Sequence, residues 1–86
     1  KAAVEAYTRV VARELGDYGV TVNAISPNPV KTDLIAGVPQ AKMTALVNRQ
    51  SIKRYGEYQD ILQVVDFLLD DRTTFTTGQV IYLGGP

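Results

Sequence analysis

Two runs of the 86-residue chain, Val20 to Ser26 and Val80 to Leu83, read as buried strands with helical sequence between them. That order constrains the fold more than any other feature. A strand, a helix and another strand in succession imply a right-handed parallel crossover. A parallel pair needs cover on both faces and along both edges. Two strands cannot supply that cover themselves. The expected class is therefore α/β, with residues 1–86 as the last part of one larger, doubly wound parallel sheet.

The flanking elements follow from periodicity and punctuation. From Ala2 to about Leu15 the apolar residues Ala3, Val4, Tyr7, Val11 and Leu15 recur at helical spacing, which reads as an amphipathic helix. Gly16 suits the helix end and Gly19 the turn after it. The helix lacks an N-cap at Lys1, which suggests that its first turn lies upstream. Pro27 has no N–H for a ladder and so ends the first strand, and Pro27 and Pro29 both stiffen the loop. Thr32 or Asp33 can cap a following helix. Residues 34–50 read as two short helical pieces, broken at Gly37 and Pro39. Gly56 reads as a turn. Asp60 to Leu69 places Ile61, Val64, Val65, Leu68 and Leu69 on one stripe, a clear helix. A polar loop then closes on Gly78, and Gly84-Gly85 ends the second strand.

Composition removes several functions. Nine basic residues balance nine acidic ones, which argues against a nucleic-acid surface. There is no cysteine and no histidine, so a disulfide framework, a thiolate metal site and the usual zinc ligand are all excluded. No apolar run approaches the ~18 residues of a membrane span.

Three stretches carry a resemblance. "KAAVEAYTRVVAREL" resembles the helix that follows the lysine of a Y-x-x-x-K motif. "VNAISPNPVKTDL" is similar to V-N-x-I-x-P-G-P-V-x-T. "RYGEYQDILQVVDFLLDDRTTFTTGQVIYLGG" is similar to R-x-G-x-P-E-(E/D)-I, V-x-F-L-x-S-D and I-T-G-Q-x-I-x-V-D-G-G in turn. Together, in order and at matching spacing, they resemble the C-terminal segment of the short-chain dehydrogenase/reductase family across essentially the whole chain. Three departures stand out. Asn28 replaces the usual Gly, Tyr58 the usual Pro, and Leu83-Gly84 the usual Val-Asp. Asn tolerates a positive φ better than other residues with a side chain, so the turn at Asn28 is expected to survive, with added bulk beside the cofactor.

The resemblance implies a Rossmann-like fold and an NAD(P)-dependent oxidoreductase that interconverts a carbonyl and an alcohol, similar to a 3-oxoacyl-acyl-carrier-protein reductase. NADP is slightly favoured. Lys1 matches the catalytic lysine, whose charge lowers the pKa of a tyrosine one turn earlier and which binds the nicotinamide ribose. That tyrosine, the family serine and the Gly-rich loop are not in these residues, so the segment alone is expected to be inactive. Pro27, Asn28, Val30 and Thr32 match cofactor-binding positions. Pro27 and Val30 would line the nicotinamide, and the Thr32 hydroxyl would contact the phosphate or carboxamide. Residues of about 34–56 would form a substrate lid, although Leu46, Val47 and Ile52 fit core packing equally well. No metal, nucleic acid or membrane is expected. The intact protein is expected to be a cytoplasmic homo-dimer or homo-tetramer acting on a small carbonyl or alcohol. The alternative is a non-catalytic member that binds a cofactor or partner, to which Asn28 is the one local pointer.

Overall fold

The computed structural model describes residues 2–30 and 37–86. Helix α1 (Ala2–Leu15) passes through a 3-10 turn (Gly16–Tyr18) towards strand β1 (Ala24–Ser26). Helices α2 (Gln40–Asn48) and α3 (Tyr58–Leu69) come next, followed by strand β2 (Val80–Tyr82). The strands pair in parallel, with Ala24 opposite Val80, Ile25 opposite Ile81 and Ser26 opposite Tyr82. The parallel crossover expected from element order is the connection observed.

Both strands are shorter than the apolar runs suggested. Before Ala24 one backbone bond persists, from Gly78 N to Val22 O at 2.7 Å, and side chains supply the other links. Thr77 Oγ1 accepts the Val22 N–H at 3.0 Å, Asn23 Nδ2 donates to Thr76 O at 3.0 Å, and Asn23 Oδ1 accepts the Gln79 N–H at 3.1 Å. Backbone and side-chain bonds together hold this stretch, without regular strand pairing. Gly78 closes the polar loop with a φ of 70°, and a Cβ there would approach the Ala12 Cβ to 3.5 Å. The loop thus lies close against α1.

The buried face of α1 is small and leaves out much of the apolar stripe. Thr8 and Ala12 are its buried residues, Val11 and Leu15 are half-buried, and Ala3, Val4 and Tyr7 are exposed. A small Thr8–Ala12 face lets the helix sit close to the sheet. Thr8 can be buried because its hydroxyl donates to Val4 O at 2.7 Å, which leaves no unsatisfied donor.

Helix α3 starts two residues before Asp60, at Tyr58, and its Ile61, Val64, Val65 and Leu68 are half-buried as the stripe implies, whereas Leu69 is exposed. Asp60 sits in the first turn and accepts the Glu57 N–H at 2.8 Å, capping one of the free donors at the helix start. The break at Gly37 and Pro39 is present ahead of α2, with Pro39 O accepting from Lys42 N at 3.0 Å and Met43 N at 3.2 Å. The first of the two expected helical pieces begins outside the described residues. Met43 is buried in α2, Leu46 and Val47 are half-buried and Ile52 is exposed, so core packing accounts for the first three and not for Ile52.

Gly56 is not a turn. It pairs with Val30 as an isolated parallel bridge, and its N–H donates to Pro29 O at 2.9 Å. Gly is ambiguous between turn and close approach, and here backbone contact decides.

Candidate functional site

The loop of Pro27, Asn28, Pro29 and Val30 leaves the carboxyl end of β1, the end at which open α/β sheets bind ligands. Its geometry is fixed from three sides. Leu83 N donates to Ser26 O at 2.9 Å, closing the last rung before Pro27 interrupts the ladder. Asn28 has a φ of 59°, the one positive value among the described non-glycine residues, and its Nδ2 donates to Leu83 O. The turn expected to survive the Gly-to-Asn departure does so, with the side-chain amide bound to the C-terminal turn. Val30 is 9% exposed and is held by the bridge to Gly56.

The connector from Gln50 to Gly56 forms the second wall. Gln50 is 5% exposed. Its Nε2 donates to Ile52 O at 2.9 Å and to Arg54 O at 3.0 Å, while its buried Oε1 has no hydrogen-bond partner among the described residues. Ile52 N donates to Gly84 O at 2.9 Å, and Ser51 Oγ to Pro86 O at 2.7 Å. Loop, connector and C-terminal turn are therefore joined pairwise. Between them lies a cavity of about 230 Å³ whose lining includes Pro27, Gln50, Gly56, Val64 and Gly84. A second, of about 500 Å³, opens beside Asn28, Leu46, Arg49 and Tyr82.

Charge borders both cavities: Arg54 and Asp60 line the smaller one and Arg49 the larger. Arg54 grips Asp60 through two bonds, Nη1–Oδ2 at 2.8 Å and Nη2–Oδ1 at 3.1 Å. The Arg54 hydrogen bond, helped by the Glu57 N–H, holds the Asp60 carboxyl at about 2 instead of 3.8. Elsewhere the Glu5 carboxylate accepts from the Tyr82 phenol and raises its pKa above 10.0, with burial adding to the effect. The loop itself carries no titratable side chain from Pro27 to Val30. It can bind and orient, but it cannot move a proton.

The structure thus brings Pro27, Asn28 and Val30 together. Lys1 and Thr32 lie outside the described residues. Gln50, the Gly56 bridge and the Arg54–Asp60 clamp were not singled out from sequence. Only Asp60 had a usable signal, an acid three positions after Glu57 at a helix start.

Comparison with known proteins identifies the frame of this site. A family model described as Enoyl-(Acyl carrier protein) reductase matches residues 1–85. The 3-oxoacyl-acyl-carrier-protein reductase FabG of Pseudomonas aeruginosa is 36% identical over 85 residues, covering 99% of this chain and 34% of its own length. A mutant short-chain dehydrogenase/reductase of Serratia marcescens superposes with a TM-score of 0.85 at 30% identity, over 99% of this chain and 35% of that one. A blue fluorescent protein from a metagenomic library, solved with NADPH, does so with a TM-score of 0.81 at 34% identity, over 99% of this chain and 34% of that one. The chain spans about a third of the length of these relatives. On the family match and the shared backbone geometry, it belongs to the short-chain dehydrogenase/reductase family.

Proposed function

We propose that the natural protein carrying these residues is an NAD(P)-dependent oxidoreductase that interconverts a carbonyl and an alcohol, and that this segment builds one wall of its cofactor site. The observation that carries the reading is the braced loop at the carboxyl end of β1, where Pro27, Asn28 and Val30 are held by Leu83 and Gly56. A stiff wall loses little entropy when a ligand docks. The neighbour solved with NADPH supports the nucleotide, and NADP ahead of NAD. FabG supports a 3-oxoacyl thioester as the finer substrate assignment.

The loop's donor set suits a nicotinamide. Pro27 offers an exposed apolar ring, the Val30 backbone is the candidate partner of the carboxamide, and Thr32 would add a hydroxyl. When bound, the nicotinamide gives or takes the hydride. Lys1 would bind the ribose hydroxyls and favour the ionised form of an upstream phenol. The rest of the family fold would cover the sheet. A second copy would cover the exposed α1 face of Val4, Tyr7 and Val10, giving a dimer or tetramer. Asn28, the pointer to a non-catalytic member, keeps the loop's turn and binds Leu83, so it lends that alternative no support.

Titrating the natural protein with NADPH and NADH tests the reading. Saturable binding of at least one, weakened and largely inactive in Lys1→Ala, is expected. No binding of either overturns it.

A further inference from the structure

The side chain of Asn28 has a role that a glycine could not fill. We propose that Asn28 is a positioning residue: its amide ties the Pro27–Val30 loop to the Leu83–Gly84 turn, and through that turn to the Gln50–Gly56 connector. The part of this inference that concerns the cofactor rests on the proposed function above.

The backbone at Asn28 is left-handed, with a φ of 59°. Gly would adopt it at no steric cost, so backbone conformation alone gives no reason for Asn. The amide supplies the reason. Asn28 Nδ2 donates to Leu83 O, and the next carbonyl, Gly84 O, accepts from Ile52 N at 2.9 Å. Gln50 then reaches from the same connector to Ile52 O and Arg54 O. The connector returns to the loop through Gly56 N, which donates to Pro29 O at 2.9 Å. The bonds form a closed circuit through three segments far apart in sequence. Asn28 supplies the one side-chain bond from the loop to the C-terminal turn among the described residues. Opening it leaves the turn held by Leu83 N and Ser26 O, and lets Pro27–Val30 sample arrangements that bind a ligand less well.

The test compares Asn28→Gly and Asn28→Asp in the natural protein. Gly keeps the turn and loses the donor. Asp tolerates the turn but sets a carboxylate oxygen against Leu83 O. Hydrogen exchange at Ile52 and Gly56 should accelerate by about fivefold in both variants, as expected for one lost hydrogen bond. Amides in the middle of α3 should keep their protection. The dissociation constant for NADPH should rise by a similar factor. Unchanged exchange in both variants overturns the tie. So does uniform acceleration across α3, which would mean general destabilisation. Faster exchange at Ile52 and Gly56 with unaltered NADPH affinity overturns the positioning role. If the wild type binds neither nicotinamide, the proposed function falls and takes the cofactor role of Asn28 with it, while exchange still decides whether the tie exists.

Discussion

Replacing Gly84 by alanine should be among the most damaging single-methyl changes in this segment. Gly84 has a φ of 85°, and a Cβ built there would lie 3.0 Å from Gln50 Nε2, 3.3 Å from Gln50 Cδ and 3.4 Å from Asn28 Nδ2. A left-handed backbone costs a residue with a Cβ roughly 1–2 kcal/mol. The contact adds to this because Gln50 is buried and cannot swing aside freely. If it moves, its bonds to Ile52 O and Arg54 O stretch or break, each worth about 1 kcal/mol. Gly84→Ala should therefore lose roughly 2–4 kcal/mol, read as a lower denaturant midpoint of the natural protein at constant slope. Gly16→Ala is the control. A Cβ at Gly16 meets nothing within 4 Å, and its φ is not positive, so a change within about 1 kcal/mol is expected. If Gly84→Ala stays within ~0.5 kcal/mol of wild type, Gln50 is not the fixed post described above.

Asp60 is ionised down to about pH 2 in the fold, against an ordinary 3.8. Its lowered value means a stabilising contribution that is present above the ordinary pKa and lost as pH falls towards 2. Asp60→Asn should flatten the acid limb of stability in that window, and parallel curves for the two proteins would refute the clamp. Glu5→Gln should bring the Tyr82 phenol down from its raised pKa, because the carboxylate hydrogen bond is the leading cause of the shift. A site-resolved titration of the ring with an unmoved midpoint would count against that contact. Thr8→Val keeps the shape of a buried side chain and removes a hydroxyl bonded to Val4 O at 2.7 Å. Its unfolding free energy should change by less than about 1 kcal/mol, and a loss beyond 2 kcal/mol would show that the hydroxyl does more than satisfy itself.

The helices were legible because a 3.6-residue period survives local irregularity. The bounds of α1 match the expected range, and α3 differs from its range by the two residues before Asp60. Which face of α1 turns inward was not legible. Apolar spacing marks an amphipathic helix without saying which positions pack on the sheet, and Thr8 and Ala12 are the ones inside, because close approach to the sheet needs small side chains more than apolar ones. The strands were legible as places and not as lengths, since Asn23 and Thr77 can stand in for backbone partners and composition does not reveal that they do. Gly56 was misjudged for a related reason. A lone glycine marks either a turn or a crowded backbone, and the Val30 bridge that settles the matter is non-local. The loop of Pro27, Asn28 and Val30 was the most legible part of the site, because two prolines restrict it before any tertiary contact forms.

That restriction explains how strand register and site geometry depend on the same bonds. Ser26 ends β1 opposite Tyr82, and this register places Leu83 so that its N–H reaches Ser26 O and its carbonyl receives the Asn28 amide. A slip of one residue would turn every side chain of β2 to the opposite face and carry Leu83 O away from Asn28. The prolines cannot compensate, because their φ angles are fixed and neither has an N–H to offer another partner. The loop can therefore be correct only when the sheet is correct. Disorder in the loop does not have to spread into the sheet, because the three β1–β2 pairs lie before Pro27. Changes at Asn28 should consequently affect ligand binding before they affect unfolding, whereas a side chain added at Gly84, which would meet both Gln50 and Asn28, should affect both together.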